Sequence, residues 1–214
     1  MIKAILCDRD GVLINSEIVN IASSLYALAD MGVATEKSDE WIIMGKHPKD
    51  YVANFVKKYH IDGADFLSRR KVIYKKMLFE TTPFMDTVEL LRELKKTGFQ
   101  IGLVTSANRE TTNSILHHFI LDGIFDAIVA FEDCERRKPH PDPYIIGAEL
   151  LHVTPAECIV LEDSQIGLRS AKAAGMICIM RQNEKTKYED FSQADLVVRS
   201  LADAKEFIFA LYKE

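Results

Sequence analysis

The sequence lacks the usual devices that staple a chain or hold it in a membrane. Its four cysteines, Cys7, Cys134, Cys158 and Cys178, include no CxxC pair, and each lies in or beside an apolar or mixed run. That argues against a zinc or disulfide framework and for buried, reduced thiols. No apolar run approaches the ~18–20 residues of a membrane span, so no membrane partner is expected. Met1 to Cys7 is too short for the apolar region of a signal peptide and runs straight into Asp8; together with reduced thiols this gives a cytoplasmic expectation. Positive charge is not in excess: 27 Lys and Arg against 32 Asp and Glu leave a net charge of −5. A nucleic-acid binder that works by bulk charge is thereby excluded. There is no internal repeat, low-complexity tract or heptad, so a monomer is the default and a dimer the alternative.

What is present is a chain of 214 residues, 48% hydrophobic and 28% charged. That balance suits a globular protein, excludes disorder, and fits one domain with room for an insertion. Short apolar strands alternate with amphipathic helices, the rhythm of a parallel sheet covered on both faces. Strands are expected at residues 2–7, 100–105, 126–130, 158–161, 176–180 and 196–198. Helices are expected over 86–97 (closed by Gly98), 142–152 (opened by Pro143), from Ser164 to Gly175, and over 200–212. From about Ser16 to Thr82 no strand pattern occurs. Ile18, Ala22, Leu25 and Ala29 repeat at helical spacing, and further helical stretches follow around 49–59 and 62–79. The expected fold class is α/β: a doubly wound parallel sheet built from 1–15 and 83–214, with an all-helical unit inserted at 16–82.

In open parallel sheets ligands bind beyond the carboxyl ends of the strands. Those ends carry Asp8-Arg9-Asp10-Gly11, then Thr105-Ser106-Ala107-Asn108, then Glu132-Asp133 followed by Lys138, then Glu162-Asp163-Ser164. Clustered carboxylates raise one another's pKa unless a cation relieves them, and a hard divalent ion with oxygen ligands, Mg²⁺, suits such a set. A nearby lysine and hydroxyl donors fit a phosphoryl group, and an aspartate can serve as nucleophile. A second aspartate two residues along is placed to move the leaving-group proton.

Asp8-Arg9-Asp10-Gly11-Val12-Leu13, Thr105-Ser106, Lys138-Pro139 and Leu161-Glu162-Asp163-Ser164 resemble, in order and spacing, the four motifs of the haloacid dehalogenase superfamily. The helical insertion is similar to its C1-type cap. The run from Glu162 through Gly167 to Ala171-Lys172-Ala173-Ala174-Gly175-Met176 resembles the branch of β-phosphoglucomutase and phosphoglycolate phosphatase. The resemblance implies that Asp8 is nucleophile and metal ligand, and that Asp10 is general acid and base, with its carbonyl on the metal. It makes Asp163 a metal ligand, with Glu162 beside it or one water away. It gives Thr105, the amides of Ser106 and Ala107, and Asn108 to the phosphate, and pairs Lys138 with Asp8. The implied activity is a Mg²⁺-dependent phosphatase acting on a small phosphorylated metabolite, a sugar phosphate or similar phosphomonoester. A phosphosugar mutase and a non-catalytic phosphometabolite-binding protein are the alternatives.

Several positions depart from that pattern. Arg9 replaces an apolar residue, and strand alternation turns it away from the metal toward an ion pair. Asn15 stands where aspartate is usual, and Asp86 where a hinge glycine is frequent. Asn20 takes the place of the histidine that mutases resembling β-phosphoglucomutase use for proton movement, which favours hydrolysis. Gly45 and Lys46 fall on the cap segment that faces the substrate in the family: Lys46 suits a second anionic group, and the plain alternative is a solvated turn. Lys75, Lys76 and Trp41 are left open between substrate wall, core and solvated face.

Overall fold

The computed structural model describes residues 1–44, 46, 48–183, 186 and 189–213. The chain divides into two compact units, Met1–Ile14 with Pro83–Glu214, and Asn15–Thr82. In chain order the elements are β1 (Ala4–Cys7), α1 (Ser16–Asp30), α2 (Ser38–Ile43), α3 (Pro48–Tyr59), α4 (Gly63–Leu78), α5 (Met85–Lys96) and β2 (Gln100–Val104). They continue as α6 (Arg109–His118), β3 (Ala127–Val129), α7 (Asp142–Leu150), β4 (Cys158–Glu162), α8 (Gln165–Ala173), β5 (Ile177–Arg181), β6 (Leu196–Val198) and α9 (Lys205–Lys213).

The larger unit is the expected α/β fold. Its six strands pair in parallel in the order β3-β2-β1-β4-β5-β6. The strand sequences AILC, QIGLV and CIVLE are nearly continuous in apolar character because helices cover both faces. One face is packed by Ala4, Leu6, Val104, Val160, Cys178 and Met180 against Tyr144 and Ala148 of α7 and Leu168 and Ala171 of α8. On α5, Val88, Leu91 and Leu94 are buried at helical spacing, and Gly98, at φ +102°, ends the helix with a turn that suits glycine. All four cysteines are buried and unbridged. Burial, assisted by nearby carboxylates, pushes the thiols of Cys7, Cys134, Cys158 and Cys178 up.

The Asn15–Thr82 unit is helical, as expected. Its core comprises Ala27, Leu28, Ile43, Tyr51, Phe55 and Phe66, with edge-on ring pairs such as Phe55–Phe66 at 5.7 Å. The buried stripe of α1 runs through Val19, Ser23, Ser24, Ala27 and Leu28; Leu25 and Ala22 are half-buried beside it, and Ala29 is exposed. Ile18 is exposed. Two buried serines sit on the inward face, where Ser24 pairs with the Tyr51 hydroxyl at 2.7 Å. Pattern reading also passed over α2, which is only six residues long. Asp39, on α2, is fully buried beneath Lys58 and Tyr59. Among the described residues no helix is long and apolar enough to cross a membrane.

Candidate active site

Parallel pairing brings the site together. Cys7 lies level with Leu103 of β2 and Leu161 of β4, so the next residues, Asp8 and Glu162, leave their strands side by side, and the Asp8 N–H donates to the Leu161 carbonyl at 2.9 Å. Asp8, Glu162 and Asp163 are all buried, and one carboxylate oxygen of each lies within 4.8 Å of the others.

Lys138 reaches this group with its side chain only 6% exposed. Its Nζ, with three protons, lies within hydrogen-bond distance of four acceptors: Asp8 Oδ1 at 2.7 Å, Glu162 Oε1 at 2.8 Å, the Tyr144 hydroxyl at 2.9 Å and the Val104 carbonyl at 3.1 Å. Burial alone would lower the lysine pKa, but the two carboxylates more than reverse it, so the ammonium stays charged. One cation therefore faces two buried carboxylates. Glu162 has further support: Tyr144 donates to Oε1, and the amides of Asp163 and Ser164 and the Ser164 hydroxyl donate to Oε2. Burial raises its pKa, and Lys138 and these donors pull it below the ordinary value. The deficit falls on Asp8, whose carboxyl burial pushes up, with Lys138 opposing and the Glu162 and Asp10 charges adding to the rise.

Two glycines make room for the acids. Gly11 sits at φ +82°, and a Cβ there would stand 1.9 Å from Asp163 Oδ2. A Cβ on Gly167 would stand 1.8 Å from Glu162 Oε1. Asp163 also accepts from Asn183 Nδ2 at 3.3 Å.

Thr105 follows β2 and is buried; its hydroxyl accepts from the Ala107 amide at 3.1 Å. Ser106 is exposed. The Asn108 side chain caps α6 by accepting from the Thr111 amide. A small recess is lined by Thr105, Ser106, Phe131, Arg137 and Lys138.

Other expected positions lie elsewhere. The Asp10 carboxylate is not part of the Asp8–Glu162–Asp163 group; it is gripped by Arg9. Glu132 and Asp133, grouped with the acids by their place after a strand, instead serve α6: Glu132 accepts from the Arg109 amide, and Asp133 pairs with the Arg109 guanidinium. Asp86 pairs with Arg181 and accepts from Ser200. Asn15 contributes its carbonyl to the Thr81 hydroxyl. In the helical unit Asn20 accepts from Arg70 at 2.6 Å. Lys46 is exposed and donates to the Ile42 carbonyl. Lys75, Lys76 and Trp41 are exposed, and Gly45 lies outside the described residues. Sequence reasoning missed Tyr144 and Asn183, which no motif marks. It also passed over the reason for Gly167, although a glycine in the first turn of a helix is itself a sign of close approach.

The family model for haloacid dehalogenase-like hydrolases matches residues 5–181. The chain belongs to that family. Within it, the chain is 29% identical over 209 residues to the validoxylamine A 7'-phosphate phosphatase of Streptomyces hygroscopicus subsp. limoneus, covering 96% of this chain and 97% of that one. It is 30% identical over 185 residues to SUPPRESSOR OF QUENCHING 1, chloroplastic, of Arabidopsis thaliana, which takes in 83% of this chain but only 18% of that protein. The crystal structure of CbbY from Rhodobacter sphaeroides in complex with phosphate superposes with a TM-score of 0.76 at 27% identity, covering 95% and 96% of the two chains. As a haloacid dehalogenase-like hydrolase the chain is an enzyme, and its acidic cluster lies where an open parallel sheet binds ligands.

Proposed function

We propose that this hydrolase is a Mg²⁺-dependent phosphatase acting on a small phosphorylated metabolite, a sugar phosphate or similar phosphomonoester, with residues 16–82 as its C1-type cap. The observation that carries the reading is the grouping of three buried acids, Asp8, Glu162 and Asp163, one carboxylate oxygen of each within 4.8 Å of the others, with the Lys138 ammonium between Asp8 and Glu162. The donor set is all oxygen, which fits a hard divalent cation. Asp8, Asp163 and the Asp10 carbonyl would hold it. When bound, it would supply positive charge to the phosphoryl oxygens. Glu162, with both oxygens occupied by donors, serves chiefly to place Lys138.

The chemistry follows from these positions. An Asp8 oxygen attacks phosphorus as the bond to the leaving oxygen breaks, and Asp10 gives its proton to that oxygen. Asp10 then takes a proton from water as the water oxygen attacks the aspartyl-phosphate. The Asp8–phosphorus bond breaks, and phosphate departs with both aspartates restored. Thr105, the Ser106 and Ala107 amides, Asn108 and Lys138 hold the phosphoryl oxygens. Asn20 has no titrating proton and is tied to Arg70, which favours hydrolysis over phosphosugar isomerisation. The proposal includes no nucleic-acid or membrane partner and takes the protein as a cytoplasmic monomer.

The test is phosphate release from a panel of sugar phosphates, phosphoglycolate and phosphogluconate, with EDTA and Asp8→Asn controls. Loss of at least ~10³-fold in kcat on Asp8→Asn is expected. Full activity in that variant overturns the mechanism. Interconversion of sugar phosphates that needs a bisphosphate activator and frees little phosphate overturns the phosphatase reading.

A further inference from the structure

Arg9 is the family departure that the proposed mechanism leaves unused. Its side chain is only 3% exposed. It does turn away from the acidic cluster, but its ion-pair partner is the next residue, Asp10. Nε and Nη2 both donate to the same oxygen, Asp10 Oδ2, at 3.0 and 2.8 Å. Nη1 donates to the Thr112 hydroxyl at 3.2 Å. Thr112 is fully buried, and its hydroxyl donates to the Asn108 carbonyl at 2.9 Å. The guanidinium is thus anchored to the start of α6, directly after the Thr105–Asn108 loop.

The two contacts converge on one oxygen. A guanidinium that merely neutralises a carboxylate usually spreads two N–H groups across both oxygens. Here Oδ2 receives both, and Oδ1 is buried with no partner among the described residues. Leaving a buried acceptor unmade is unfavourable, so a purely structural ion pair gains nothing from this arrangement. It has a stereochemical consequence for proton transfer. Oδ2 already accepts two N–H groups, so the oxygen left open to a proton is Oδ1.

We propose that Arg9 is a positioning residue for Asp10: by occupying Oδ2 from an anchor on Thr112, it fixes the carboxylate so that proton traffic with the leaving oxygen and with water runs through Oδ1. The inference rests on the reading of Asp10 as general acid and base. Arg9 touches neither the phosphoryl group nor Asp8 in this scheme. It acts only through the orientation of its neighbour.

The experiment compares kcat/KM for the best alkyl phosphate of the panel with that for p-nitrophenyl phosphate, whose leaving phenolate departs without a proton. kcat/KM reports transfer to Asp8 and is blind to the later hydrolysis, in which Asp10 acts on both substrates. Asp10→Asn sets the reference and lowers the alkyl ester selectively. Arg9→Met is expected to lower kcat/KM on the alkyl ester by about 10-fold or more, within the range of acid–base contributions, and to leave the nitrophenyl ester within about 2-fold. Thr112→Val, which removes the anchor without touching Asp10, shows the same selectivity to a smaller degree, and Thr112→Ser restores the ratio. Should Arg9→Met fail to fold, the two Thr112 variants decide. Equal losses on both esters, or an unchanged ratio in Thr112→Val and Arg9→Met while Asp10→Asn is selective, overturn the role of Arg9. Absence of selectivity in Asp10→Asn itself overturns instead the acid–base reading on which it rests.

Discussion

Replacing Gly167 by alanine sets helix propensity against a buried contact, and the two predict opposite signs. Gly167 lies in the first turn of α8, and alanine is favoured over glycine within helices by about 0.8–1.0 kcal/mol. The new Cβ, however, would stand 1.8 Å from Glu162 Oε1 and 1.9 Å from its carboxyl carbon. Glu162 cannot swing into solvent, because it is 1% exposed and held by Lys138, Tyr144 and Ser164. Overpacking costs about 1–3 kcal/mol, and loosening a hydrogen bond to a buried charge costs about 1.5–3 kcal/mol more. The contact outweighs the propensity, leaving a net loss of about 2 kcal/mol or more. For a chain of this size that is a fall in Tm of roughly 4–8 °C. Urea unfolding gives the free energy, and phosphate release gives the activity, which falls because Lys138 loses one of its two carboxylate partners. Gly123→Ala is the control: nothing lies within 4 Å of a Cβ there, and a change within about 0.5 kcal/mol is expected. A Gly167→Ala protein that is more stable by about 1 kcal/mol with unchanged kcat would refute the reasoning.

Three further outcomes can be checked directly. Tyr144→Phe removes a buried hydroxyl between Lys138 and Glu162 and should cost about 1.5–3 kcal/mol in urea unfolding, with kcat falling more than KM changes. Titration calorimetry should detect Mg²⁺ uptake by the native chain, and Asp163→Asn should weaken it by about tenfold or more; undiminished uptake in that variant removes Asp163 from the ligand set. Burial would raise the Asp39 carboxyl, but hydrogen bonds from Lys58, Tyr59 and the Glu36 amide outweigh it and hold the pKa below 3.8. A depressed carboxyl contributes stability that is present above its unfolded pKa and lost as pH falls through its folded one. The stability gap between native protein and Asp39→Asn should therefore be full near neutrality and shrink below about pH 4. A gap that widens on acidification contradicts the assignment.

The fold was largely legible because its signals are local. Strand sequences as apolar as CIVLE, and helices stopped by Gly98, announce themselves without tertiary knowledge. The placement of Asp8, Glu162 and Asp163 at one edge follows from strand ends, whereas Lys138 comes from a loop nine residues past β3 and is marked by its motif. What pattern reading could not supply was direction. Glu132 and Asp133 also follow a strand, yet their carboxylates turn to the N-terminus of α6, a choice set by the Arg109 amide and guanidinium. The inward face of α1 is hard to read from sequence because its buried serines look polar; Ser24 is held inside by Tyr51 and Arg70, and Ser23 donates to the Asn20 carbonyl. The partner of Arg9 was hidden for a similar reason: alternation assigns a side, not the neighbour into which a long side chain folds back.

The four thiols sunk in the larger unit give the molecule a built-in reporter. Each is buried, the most accessible being Cys134 at 8%, and each is held protonated by its surroundings. The reacting species toward disulfide reagents and alkylators is the thiolate, so labelling of the native protein has to wait for the chain to open. Colour release from an Ellman-type reagent then counts opening events, with Cys134 sensing local breathing and Cys7, beneath the acidic cluster, sensing loss of the sheet itself.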